Sequence, residues 1–125
     1  MEAKDYLRRA KKNEIMIRQK REELESLKKD ASGKDGRHKR EVSAKYKALE
    51  QQLEVDILKL HESRVEIIDT IHKLDDSICL IVLHAKWIDG DSLEQIAVAT
   101  GYSFAHIRRK YWEGMKKIGK MICGE

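Results

Sequence analysis

Leu93-Glu94-Gln95-Ile96-Ala97-Val98-Ala99-Thr100-Gly101-Tyr102-Ser103-Phe104-Ala105-His106-Ile107-Arg108-Arg109-Lys110-Tyr111-Trp112 is the stretch that decides the fold. Ser92 followed by Gln95 is a capping-box spacing, so a helix is expected to begin at Leu93. Gly101 ends it, because glycine takes the left-handed backbone angles of a sharp helix stop at no steric cost. Ser103 then caps a second helix. Where two short helices cross this closely, the contact needs a small side chain at Ala97, with Ile96 and Ile107 filling the shared core. Ile96, Ala97, Gly101 and Ile107 in this order read as the core of a helix-turn-helix.

The second helix is expected to run on, since Ile107, Tyr111, Met115, Ile118 and Ile122 recur at three- and four-residue steps. Ala105, Arg108, Arg109, Trp112, Lys116 and Lys120 project from the other side. Six Lys/Arg stand against one acid, Glu113, between Ser103 and Lys120, the charge balance of a helix that lies in a DNA major groove. A basic face is also what any solvated helix presents; its place directly after the turn signature favours DNA. Ser103, Phe104, Ala105, His106, Arg108, Arg109, Trp112 and Lys116 are the candidate DNA-contacting residues. Trp112 has two readings, against DNA sugar and phosphate or packed on the preceding helices.

Upstream, Asp75-Asp76 can cap a further helix, Ile78-Cys79-Leu80-Ile81-Val82-Leu83 is too apolar to be exposed, and Trp87-Ile88-Asp89-Gly90-Asp91 closes in a turn with Trp87 as core. The order of Leu74-Asp75-Asp76, a buried helix, Trp87-Ile88-Asp89-Gly90, Leu93-Glu94-Gln95-Ile96-Ala97 and Gly101-Tyr102-Ser103 resembles region 4 of bacterial sigma factors, the module that reads a promoter element. It is similar, closer still, to the sigma-region-4-like proteins of Gram-positive phages and prophages, the ArpU/RinA-type late transcription regulators and their relatives. The resemblance covers about residues 70–122 and implies sequence-specific binding of double-stranded DNA, with RNA polymerase as a further partner. At Phe104 and Ala105 the chain departs from the basic residues that this family places just after the turn serine.

The N-terminal half holds two helical runs separated by Ser32-Gly33-Lys34-Asp35-Gly36-Arg37-His38-Lys39-Arg40. Ala3, Tyr6, Ala10, Asn13, Ile17, Lys20, Leu24, Leu27 and Ala31 form the first apolar seam, with Asn13 and Lys20 as polar interruptions that fix register. Val42, Tyr46, Leu49, Leu53, Ile57, Leu60, Ile67, Ile71 and Leu74 form the second, and the eleven-residue step from Tyr46 to Ile57 loosens any supercoil there. An antiparallel hairpin pairs the two seams, and dimerisation covers what remains. The architecture expected is all-α: a long N-terminal helical hairpin, a coiled coil over residues 1–74, followed by a sigma-region-4-like helix-turn-helix over residues 75–125.

Charge follows this division. Residues 1–40 carry net +6, residues 41–74 net −2 and residues 75–125 net zero, within the +4 of the whole chain. The first helix is therefore suited to pair with the second, although surface pairs contribute little energy. Lys34, Arg37, His38, Lys39 and Arg40 form a basic block, either a solvated loop or a nonspecific contact to nucleic acid. With 38% charged and 6% aromatic residues, much of the chain must be extended helix rather than one large core. The charged start Met1-Glu2-Ala3-Lys4-Asp5 and the lack of a long apolar run lead to a cytoplasmic expectation, with no membrane partner.

No catalytic residues, cofactor or metal are expected. Asp69 and His72 fall three apart and Asp89-Gly90-Asp91 crowds two carboxylates, yet no further ligand has a matching spacing, and caps and turns account for both. His61, His72, His84 and His106 are scattered; Cys79 and Cys123 have no paired spacing and read as reduced thiols. Two other functions remain open: a DNA-packaging protein like a small terminase subunit, which forms rings, and a module that grips RNA polymerase without reading DNA.

Overall fold

The computed structural model describes residues 2–32 and 36–124, and the side chains of residues 2–29 and 44–124. All regular structure among them is helical: α1 (Ala3–Ser32), α2 (Gly36–His72), α3 (Ser77–His84), a π-helical turn (Ala85–Asp89), α4 (Leu93–Thr100) and α5 (Phe104–Ile122). None of the described helices is long and apolar enough to cross a membrane.

The connection between the first two helices is shorter than the expected run from Ser32 to Arg40, because α1 continues through Ser32 and α2 begins at Gly36. Arginine and lysine are good helix formers and a glycine at a helix start costs little, so Arg37 to Arg40 extend α2 rather than the loop. The side chains of the basic block lie outside the described residues.

By compactness the chain forms two units, one of Met1–Lys12 with Ser63–Glu125 and one of Asn13–Glu62. The first unit does not start at Asp75. It takes in the opening turns of α1 and the end of α2, because Leu7, Ala10, Ile67, Ile71 and Leu74 share one buried cluster with Cys79, Val82, Leu83, Ile88, Ile96, Ala97, Ile107, Tyr111, Met115 and Ile118. Tyr6 and Thr70 join their hydroxyls at 2.9 Å beside that cluster.

Within this unit α3 owes its start to Asp76, whose Oδ1 accepts the amide N–H groups of Ile78 at 2.9 Å and Cys79 at 3.2 Å, satisfying two donors that the first helical turn leaves without partners. The helix is not buried all round: Ile81 is 47% exposed, since a 3.6-residue repeat carries one side of any helix away from a single core. After His84 the chain takes one π-helical turn instead of the expected plain turn, so Trp87 and Ile88 are helical; Ile88 is buried and Trp87 half-buried against the core. Gly114 sets how closely α5 approaches α3. A Cβ there would stand 3.0 Å from Leu83 Cδ1 and 3.4 Å from Cys79 Cβ, too close for a well-packed interior to absorb without a shift.

The second unit is thinner among the described residues. Ile17, Leu53 and Asn13 are buried there, while Leu24, Leu27, Tyr46, Ile57 and Leu60 are half-buried. Leu49, expected in the seam, is 41% exposed. Lys20 meets Asp56 at 3.6 Å and Lys28 meets Glu50 at 3.6 Å, so here α1 and α2 run in opposite directions.

Candidate functional site

The sequence signals around α4 and α5 correspond to formed contacts. Ser92 Oγ accepts the Gln95 amide N–H at 3.1 Å and Gln95 Oε1 accepts the Ser92 amide N–H at 2.8 Å, a complete capping box. Gly101 sits at φ 78°, ψ 5°, and its N–H closes on the Ala97 carbonyl at 3.0 Å. The Thr100 hydroxyl donates to the Ile96 carbonyl at 2.7 Å, a side-chain bond back to the preceding turn. Ser103 then accepts the His106 amide N–H at 3.2 Å and α5 begins. Ile96, Ala97 and Ile107 are buried where α4 packs on α5.

This packing fixes which side of α5 is outward. Ser103, Phe104, Ala105, Arg108, Arg109, Trp112 and Lys116 are exposed, and His106 is half-buried. The expected stripe Ile107, Tyr111, Met115 and Ile118 is buried, with Ile122 partly so. Trp112 is 60% exposed, which leaves it on the outer face rather than packed on the preceding helices; its ring stands T-shaped to that of Tyr111, centroids 5.1 Å apart. At the start of the face the rings of Tyr102 and His106 lie 5.0 Å apart, and Arg109 Nη2 approaches His106 Nδ1 at 3.5 Å. Val98 of α4 is 85% exposed; sequence reasoning misses it, because an apolar side chain carries no signal for its own exposure.

The six basic residues between Ser103 and Lys120 do not act alike. Lys110 Nζ lies 2.7 Å from Asp76 Oδ2 and 3.4 Å from Glu113. Lys117 Nζ lies 3.4 Å from Asp75 and 3.7 Å from Glu113. The hydrogen bond from Lys110, joined by the backbone N–H of Cys79, holds the Asp76 carboxyl at a pKa of about 2, below its ordinary value of 3.8, because each donor favours the ionised form. Lys110 is raised in return, first by its bond to Asp76. Asp75 is lowered and Lys117 raised, each chiefly by the bond between them. Arg108, Lys116 and Lys120 make no ion pair among the described residues and, with Arg109, carry the charge of the outer face.

Asp76, Cys79 and Glu113 place potential metal-ligating atoms within 4.8 Å of one another, a grouping that the sequence spacing does not reveal. Lys110 already pairs with both carboxylates of this grouping and Lys117 with Glu113, and burial raises the Cys79 thiol, which disfavours the thiolate that a metal needs. This cluster is an ion-paired helix cap. Cys79 is buried, Cys123 is exposed, and both are free thiols.

No protein family, no curated protein and no solved structure matches the chain.

Proposed function

We propose that this chain is a sequence-specific, DNA-binding regulator of transcription of the sigma-region-4-like helix-turn-helix kind, encoded by a phage or prophage. The observation that carries the reading is the pairing of a fully capped α4–Gly101–α5 turn with an outward α5 face on which Arg108, Arg109 and Lys116 stand clear of the acids that engage Lys110 and Lys117. With α5 in the major groove, Arg108 and Arg109 follow the turn serine closely enough to reach base edges, and Lys116, about two turns on, reaches phosphate. The N-terminal helices supply a homodimer contact through apolar residues that face outward, among them Leu49, Val55 and Leu58.

A second reading is a module that grips RNA polymerase without reading DNA. Val98, Tyr102, Phe104 and Trp112 favour it, being apolar or aromatic side chains exposed on α4, the turn and α5.

Binding of the wild type, Arg109→Ala and Lys116→Ala to a selected DNA site and to scrambled DNA, at several salt concentrations, separates the two. A base-reading arginine is worth about 1–3 kcal/mol on the selected site and little on scrambled DNA. A phosphate-binding lysine weakens both alike and lowers the salt slope by roughly one. No selectable site and no response to either substitution would remove the DNA-reading proposal. Light scattering on the same samples is expected to give a dimer; a closed ring would point to packaging, and a monomer would remove the dimer contact.

A further inference from the structure

We propose that His72 and His84 form a binding site for a divalent transition-metal ion of the zinc class, with Asp89 holding His84 in its ligating orientation. All three residues belong to the unit that contains Ser63–Glu125, and the inference is independent of the DNA-binding reading.

His72 is the last residue of α2 and His84 the last of α3. Twelve residues apart in sequence, they bring His72 Nε2 to 3.2 Å from His84 Nδ1, with ring centroids 5.3 Å apart and planes tilted by 59°. Two nitrogens on one tetrahedral zinc, each about 2.0–2.1 Å from the ion, stand about 3.3 Å from each other. The two imidazoles therefore already have the separation of adjacent ligands. The 3.2 Å contact is a hydrogen bond; a bound ion would replace it, with both facing nitrogens unprotonated and the rings rotated toward a common point. Protons then reside on His72 Nδ1 and His84 Nε2.

The second nitrogen of His84 has its own partner. Asp89 Oδ1 lies 3.8 Å from His84 Nε2, an ion-pair distance longer than a hydrogen bond; a small closing movement would let the carboxylate orient the imidazole when a metal is bound. The π-helical turn Ala85–Asp89 is what makes this approach possible. In an α-helix, residues five apart point about 140° away from each other. A turn closed by i→i+5 bonds stacks them instead, and turns of this kind are frequent at functional sites.

The histidines border an open cleft of about 320 Å³ lined also by Leu80, Ile81, Ala85 and Asp89, with room for the water molecules that complete the coordination. His72 ends α2, where the helix dipole is negative and favours a cation. Imidazole donors suit Zn²⁺, Cu²⁺ and Ni²⁺, whereas Mg²⁺ and Ca²⁺ require oxygen. A bound ion would tie the end of α2 to the end of α3.

Calorimetric titration with Zn²⁺ and with Mg²⁺, on the full chain carrying Cys123→Ser to remove the exposed thiol, tests the site, with thermal melting as a second readout. The expected result is one saturable Zn²⁺ per chain, a raised Tm with Zn²⁺, and no response to Mg²⁺. His72→Ala, at an exposed position, and His84→Ala should each abolish saturable binding, Asp89→Asn should weaken it about tenfold, and His61→Ala should leave it unchanged. Absence of saturable Zn²⁺ binding, or binding that persists unaltered in His72→Ala and His84→Ala, would overturn the proposal.

Discussion

The unit built around α3, α4 and α5 and the unit of Asn13–Glu62 rest on similar sequence periodicity and differ in depth. In the first, Leu7, Ile71, Cys79, Val82, Leu83, Ile107 and Ile118 have no solvent exposure at all. In the second, Leu24, Leu27, Ile57 and Leu60 step along their helices just as regularly and remain half-buried. Two helices side by side cover one stripe of each other and no more, whereas helices crossing from several directions close over a side chain completely. Spacing thus identifies the inward face, and the number of neighbouring elements decides how far inward it goes.

The sharpest way to break this contrast is a matched pair of core truncations. Leu83→Ala removes a fully buried side chain that touches the close approach of α5, and should cost about 2–5 kcal/mol because its surroundings cannot collapse into the void. Leu53→Ala, in the thinner unit, should fall at or below the low end of that range, since its half-exposed neighbours can adjust and water can reach the gap. Chemical denaturation of both variants measures the difference. Equal costs would show that the second unit is as tightly enclosed as the first, as it would be if a second copy of the chain covered it.

The next largest effect belongs to the turn. Gly101 has φ +78°, and a Cβ added to it would meet nothing within 4 Å, so a substitution there brings backbone strain without a clash. Gly101→Val should destabilise the α4–α5 unit by about 1–3 kcal/mol, and Gly101→Asn should recover most of the loss, because asparagine tolerates left-handed angles. Thermal melting followed by circular dichroism gives both values. A Gly101→Val chain with unchanged stability would mean that the turn contributes nothing to the rigidity of this unit.

The smallest effect tests the cap of α3. Asp76→Asn keeps a side-chain acceptor for the helix amides and loses the charge-assisted bond to Lys110, a cost of about 1 kcal/mol at neutral pH. The folded-state pKa of Asp76 is depressed to about 2 from an ordinary 3.8. Its contribution is therefore fully present above the ordinary value and is lost as pH falls from there toward 2. Denaturation at a series of pH values should show that the wild-type chain loses this advantage across that window and converges on Asp76→Asn. An identical gap between the two chains at pH 7 and pH 2 would rule out the ion pair as its source.

How much is legible in the residues varies with the range of the interaction. The caps at Ser92, Gly101 and Ser103 are readable because each is closed by partners within four residues. The inward stripe of α5 and the outward placement of Arg108, Arg109 and Lys116 follow from one helical repeat in the same way. Leu7 escapes a narrow three-and-four seam because the multi-helix core buries a wider face of α1 than pairing with one helix would. The different fates of Lys110 and Lys116 are also hidden, since Asp76, thirty-four positions away from Lys110, selects one of them.

By itself the sequence determined the all-helical character, the start of α3, both ends of α4, the start of α5 and the inward side of α5, because propensity, capping and periodicity act between residues within about one turn. Only the tertiary structure decided that α1 and α2 each contribute to two compact units, that Gly114 admits Leu83, that two basic side chains of α5 are committed to the α3 cap, and that His72 meets His84. Each of these joins residues from different helices, and no local spacing encodes which distant neighbour a side chain will find.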